Sequence, residues 1–202
     1  MSDTRTPRTM GILLFDDAEE LDWAGPWEVL TSLRMLAGET EVLTIAERDA
    51  PVTCAKGLRV LPDCDFDSAP KLDVVLVPGG QGTRSQVDNP ALIGWLRKAG
   101  ADCEWVTSVC TGALLLHEAG FARGKRVTTH WGFCDALEAR GEVTVLRRTR
   151  WVRDGNLVTA AGVSAGIDMA LWLVGQMHSP DVARQVQRYM EYDPAPPYQA
   201  EV

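Results

Sequence analysis

Histidine is scarce in this chain. Only His117, His130 and His178 occur among 202 residues, which supplies too few nitrogen ligands for a metal site of any usual type. The five cysteines, Cys54, Cys64, Cys103, Cys110 and Cys134, are an odd number with no CxxC spacing. That excludes an obvious zinc motif and argues against a disulfide framework. Basic residues are outnumbered, 20 Lys and Arg against 28 Asp and Glu, for a net charge of −8, so neither nucleic acid nor an anionic membrane is an expected partner. The one basic cluster, Arg147-Arg148-Thr149-Arg150 with Arg153, lies in strand-like text and is expected on a solvated face. No apolar run approaches a membrane span, and the charged start Met1-Ser2-Asp3-Thr4-Arg5 is not followed by an apolar segment, so a cytoplasmic protein is expected. Internal repeats and Gly/Ser linkers are also missing. With 46% hydrophobic residues, one α/β domain over 1–202 is expected, with an N-terminal lead at 1–8 and a Pro-rich tail at 193–202.

What is present is an alternation of short apolar strands with helical segments. Thr9 to Phe15, Glu41 to Ala46, Asp73 to Val77 and Trp105 to Val109 read as buried strands. Gly25-Pro26 is expected to open a helix to about Ala37, and Asn89-Pro90 one to about Ala99. Ser164 is expected to cap a helix from Ala165 to Met177, and Ser179-Pro180 the last one, to about Tyr192. Val52 to Cys54 and Leu58 to Leu61 suggest a small hairpin excursion, and Asp154-Gly155-Asn156 is the clearest hairpin turn. Lys125 to Thr129 reads as another short strand. The pattern predicts a mainly parallel, doubly wound sheet with helices on both faces, a flavodoxin-like arrangement.

The stretch Trp105-Val-Thr-Ser-Val-Cys110-Thr111-Gly112 puts Cys110 on a strand-to-helix turn. This is the layout of a nucleophile elbow, and the helix dipole behind it is expected to favour thiolate. Asp22 is expected in the loop after the first strand, and Gly79-Gly80 directly after the strand ending at Val77. In a doubly wound sheet such loops share one rim, so a carboxyl group, bare amides and a thiolate can converge there. Cys110 then suits a nucleophile, the N–H groups of Gly80 and Thr111 suit charge stabilisation, and Asp22 suits proton transfer. Plainer roles stand beside these. Asp22 suits a helix cap near Pro26, and Gly79-Gly80 a simple turn. His130 suits either a base for Cys110 or a packed, hydrogen-bonded side chain. His117 is expected on the surface.

The pieces Leu21-Asp22-Trp23-Ala24-Gly25-Pro26, Val77-Pro78-Gly79-Gly80, Val106 to Gly112, and Thr128-Thr129-His130-Trp131 resemble the ThiJ/PfpI superfamily over almost the whole chain. With Val152 to Leu157, Ala165-Gly166-Ile167-Asp168 and Glu191 to Pro197, the chain more closely resembles the isocyanide hydratase family within it. That resemblance implies Cys110 as nucleophile, Asp22 as acid and base, the Thr111 amide and the Gly79-Gly80 turn where charge is stabilised, and Val163 and His130 lining the pocket. It further implies hydration of a small isocyanide to an N-formamide through a covalent thioimidate, with no metal or organic cofactor, in a homodimer. The protease-like branch carries histidine where Thr111 stands, and the glyoxalase- and deglycase-like branch carries Glu where Asp22 stands. Two other readings remain: an enzyme acting on 2-oxoaldehydes, and a non-catalytic thiol or ligand sensor. The sensor reading is related to the N-terminal domain of AraC-type regulators, which continue into a helix-turn-helix domain where this sequence ends at Val202.

Overall fold

A computed structural model of the chain describes residues 8–38 and 40–196. Most of the expected N-terminal lead, and residues 197–202 of the Pro-rich tail, lie outside the described residues; 193–196 have no regular structure. The central sheet has seven strands in the order β10 (Trp151–Asp154), β11 (Leu157–Ala160), β7 (Trp105–Val109), β6 (Val74–Val77), β1 (Arg8–Leu13), β2 (Thr40–Ala46) and β5 (Cys64–Asp65). All neighbours are parallel except the β10–β11 pair, the hairpin predicted around Gly155. Leaving out the short outer strands, the order is that of a flavodoxin-like fold, and the topological switch falls between β1 and β6. Every residue of β6, β7 and β11 is buried, as expected for parallel strands covered on both faces.

Helix α1 (Glu20–Ala37) packs with α6 (Ala165–Met177) and α7 (Pro180–Tyr189), while α3 (Pro90–Gly100) packs with α4 (Gly112–Glu118). Asn89 caps α3 as expected: its side chain accepts from the N–H of Ala91 at 3.0 Å, with Pro90 at the first helical position. Such a cap is worth about 1 kcal/mol. Strands β3 (Val52–Thr53) and β4 (Arg59–Val60) form the predicted antiparallel excursion. A four-residue helix, α2 (Thr83–Gln86), follows the Gly79–Gly82 loop.

Several boundaries differ from expectation. Helix α1 begins at Glu20, not at Pro26, so Asp22 sits in its first turn rather than in a loop. Tertiary bonds start the helix early: Glu19 N–H donates to Gly79 O at 2.9 Å and Gly79 N–H to Asp22 Oδ2 at 2.9 Å, while Asp22 N–H closes the first turn on Glu19 O at 3.2 Å. Pro26 is therefore interior, and the amide it lacks would have bonded the carbonyl of Asp22, four residues back. Ser164 makes no capping bond to α6; its hydroxyl lies 3.3 Å from Nη1 of Arg150 instead. The last helix stops at Tyr189. Lys125 to Thr129 is strand only over β8 (Lys125–Val127), which pairs in parallel with β9 (Val143–Val145) outside the main sheet. The short α5 (Cys134–Glu138) lies between them. His117 is buried, not on the surface, with Nε2 3.0 Å from Gly141 O; the turn after α5 folds over it.

Candidate active site

Three chain segments leave the sheet at its carboxyl edge beside the switch point, after β1, β6 and β7. The third is a tight elbow. Cys110 has φ 56°, a left-handed conformation that costs a side-chain-bearing residue about 1–2 kcal/mol. The surroundings hold it there. Its N–H donates to Ala160 O at 3.2 Å and Ala161 O at 3.0 Å, and its carbonyl accepts from Thr129 Oγ1 at 2.8 Å. Gly112, two residues on, packs against the carbonyls of Val77 and Pro78, where a Cβ would collide. Gly79 is similarly confined: a Cβ there would stand 2.5 Å from Thr111 N and 2.8 Å from Cys110 Cβ. Glycine at both positions lets the elbow and the β6 loop touch.

Asp22 reaches the same place from α1. It is fully buried, and its Oδ2 accepts from Gly79 N–H at 2.9 Å. Its Oδ1 is buried without a hydrogen bond of ordinary geometry, and the Cys110 thiol lies close enough to the carboxyl for each to perturb the other's titration. Burial pushes Asp22 up to about 7, with the Gly79 amide opposing and nearby Glu19 adding to the rise. Burial, then the Asp22 charge, pushes Cys110 up to about 12, while the Thr111 amide and hydroxyl favour the thiolate. Burial and the neighbouring carboxylate thus oppose the thiolate that a helix N-terminus favours. Helix α4 is short, with seven residues, and a thiolate there would have to be desolvated beside a carboxylate.

Thr111 is the cap residue before α4, with its backbone N–H beside the sulfur. Gly80 N–H donates to Thr111 Oγ1 at 3.0 Å, so the amides of Gly79 and Gly80 are each already engaged. The amide left to meet a developing charge is that of Thr111. Val163 and His130 line a cavity of about 560 Å³ with Trp131, Arg148 and Gly162. This cavity backs onto the elbow through Thr129 and Ala161, each bonded to the main chain of Cys110. Val163 is itself left-handed at φ 46°. His130 Nδ1 accepts from Gly132 N–H at 3.2 Å, the hydrogen-bonded alternative for this side chain.

Two groups at the site went unforeseen. Buried Thr83 places its hydroxyl 3.1 Å from Thr111 Oγ1 and 2.8 Å from Gly80 O. Arg84 bonds Gly80 O at 2.7 Å and covers the Phe133 ring at 4.4 Å. Both lie in α2, too short to show a periodicity; a Gly-Thr pair just beyond Gly80 was the only signal.

A flavodoxin-like sheet with a left-handed cysteine elbow facing a buried carboxyl defines a class, and the match to the DJ-1/PfpI family model over residues 8–176 agrees with it: the chain belongs to the DJ-1/PfpI family. It is 42% identical over 189 residues to the isonitrile hydratase of Pseudomonas putida, covering 94% of this chain and 80% of that one. A crystal structure of a ThiJ/PfpI family protein from Pseudomonas syringae superposes with a TM-score of 0.89 at 32% identity, covering 98% of this chain and 82% of that one. The transcriptional regulator CdhR of Pseudomonas aeruginosa is 34% identical over 136 residues, 67% of this chain and 40% of the regulator. Among the described residues, no helix is long and apolar enough to cross a membrane.

Proposed function

We propose that this protein is a cysteine-dependent hydratase that converts a small isocyanide to its N-formamide. The observation that carries the reading is the pairing of Asp22 with Cys110 beside the Thr111 amide, in a chain 42% identical to an isonitrile hydratase. With both groups raised by burial and each opposing the other's ionisation, the pair shares a single proton above neutrality. Moving that proton from sulfur to carboxylate produces the reactive form, a thiolate beside a neutral acid.

The steps then balance. The thiolate forms a bond to the terminal carbon of R–N≡C, and Asp22 delivers its proton to the same carbon, giving the thioimidate S–CH=N–R. Asp22, now a carboxylate, takes a proton from water as the hydroxide adds to that carbon, and passes the proton to nitrogen. The resulting S–CH(OH)–NHR collapses: the hydroxyl proton returns to Asp22, the C–S bond breaks, and HC(=O)–NHR leaves. Thiolate and acid are regenerated. The Thr111 N–H stabilises the sulfur anion at both ends of the cycle.

Incubating the protein with an aryl isocyanide and following formamide absorbance tests the reading; methylglyoxal consumption is measured alongside. Formamide formation that Cys110→Ala abolishes is the expected result. Methylglyoxal loss without formamide would move the assignment to a 2-oxoaldehyde enzyme. No turnover of either, with Cys110 oxidising to sulfinate, would favour a sensor, the reading to which the likeness to CdhR lends support. The homodimer and the cytoplasmic setting belong to the same proposal, and sedimentation equilibrium tests the dimer.

A further inference from the structure

The β3–β4 excursion is stapled to the segment that carries Asp22. Asp17 N–H donates to Thr53 O at 2.8 Å, Thr53 N–H to Asp16 Oδ1 at 2.8 Å, Ala55 N–H to Ala18 O at 2.9 Å and Lys56 N–H to Glu20 Oε1 at 2.6 Å. At the tip, Lys56 Nζ pairs with Glu19 Oε1 and lies 3.8 Å from Glu20 Oε2, an oxygen buried without a hydrogen bond. Glu19 in turn links the site: its N–H holds Gly79 O and its carbonyl accepts from Asp22 N–H. Two half-buried carboxylates therefore stand one turn from the site's own carboxyl, and the cation that offsets them comes from a hairpin that plays no part in the sheet.

We propose that Lys56 is a positioning residue for Asp22: by pairing with Glu19 and Glu20 it holds the first turn of α1 against the Gly79–Gly80 loop and offsets the acidic charge next to the site's proton carrier. The charged and titratable groups that bear on Asp22 are Glu19 on its own segment, Lys56 on the hairpin and Cys110 on the elbow. Glu19 and Lys56 act on it in opposite senses, the acid holding the Asp22 proton on and the ammonium drawing it off. The catalytic consequence rests on Asp22 being the acid and base proposed above; the titration itself does not.

The test is a carbon-13 titration of the Asp22 carboxyl in the full chain, assigned by its loss in Asp22→Asn, in wild type and three variants. Lys56→Met is expected to raise the Asp22 midpoint by about 0.5 in pH, a modest effect because Lys56 is largely exposed. Lys56→Arg should restore the wild-type midpoint, and adding Glu19→Gln to Lys56→Met should bring it back down. A Lys56→Met midpoint equal to wild type would overturn the proposal, as would a rise that Glu19→Gln leaves untouched. In the isocyanide assay the pH midpoint of kcat/KM should move with the carboxyl. If the carboxyl moves and no isocyanide is turned over by wild type, the hydratase reading fails while the role of Lys56 stands.

Discussion

Strand β7 has a cysteine beyond each end, and the two environments differ in one decisive respect. Cys103 precedes the strand and Cys110 follows it; both are buried, and burial is the chief cause that pushes both thiols up to about 12. Around Cys103 the sulfur meets carbonyls, Leu72 O at 3.4 Å and Ala99 O at 3.2 Å. A carbonyl cannot take the proton away, and the carboxylates of Asp73 and Asp102 act on this thiol only through their charge, not through a hydrogen bond. Around Cys110 the neighbour is Asp22, a carboxyl that itself titrates near 7, and an amide stands ready for the anion. A raised thiol pKa therefore does not separate a filler cysteine from the proposed nucleophile; the difference is a neighbour able to accept the proton and return it.

The comparison can be broken most directly at the sulfur. Cys110→Ala should lower isocyanide turnover by at least about 10⁴-fold, the scale of loss seen when a nucleophile is removed, as measured by formamide formation. Asp22→Asn keeps the shape and removes the proposed proton carrier, so turnover should fall by about 10² to 10⁴-fold. In wild type kcat/KM should drop tenfold per pH unit below about 7, where Asp22 fills and cannot take the thiol proton; that limb should vanish in Asp22→Asn.

The same variant sharpens the comparison in stability. Asp22 keeps its proton up to about 7 when folded, against an ordinary 3.8. The folded chain thus binds more protons between those values, and the group's contribution is complete below about 4 and lost as pH rises through about 7. Asp22→Asn should accordingly melt higher than wild type at pH 8, by up to about 4 kcal/mol, and show little difference at pH 4. Thr111→Val leaves the Gly80 N–H without its acceptor and should cost about 1–2 kcal/mol of stability, read by denaturant unfolding, with a loss of turnover of about tenfold. Cys103→Ala is the control at the quiet end of the strand: turnover within about twofold of wild type and a stability loss of about 1 kcal/mol.

Much of this was legible in the chain. Continuous apolar runs marked β1, β2, β6 and β7, and Asn89-Pro90 and Ser179-Pro180 marked two helix starts, because those signals are local: a strand buried on both faces must be apolar throughout, and a cap works within four residues. Gly79, Gly80 and Cys110 stood out for the same reason. The start of α1 did not, since Pro26 obeys a local rule while the bonds that begin the helix at Glu20 come from Gly79, far along the chain. His117 was misplaced because a turn from α5 covers it, and Thr83, Arg84 and Lys56 carried no pattern of their own.

Residue order alone determined the alternating layers, the strand-to-elbow passage at Cys110 and the supply of one carboxyl group at the first strand's exit. Only the folded chain decided how those groups behave, since ionisation depends on distance and solvent, not on neighbours in sequence. Packing α1 under the Gly79–Gly80 loop dries Asp22 and sets it beside the sulfur, which turns a carboxylate into an acid near neutrality and a dipole-favoured thiolate into a thiol that waits for a proton acceptor.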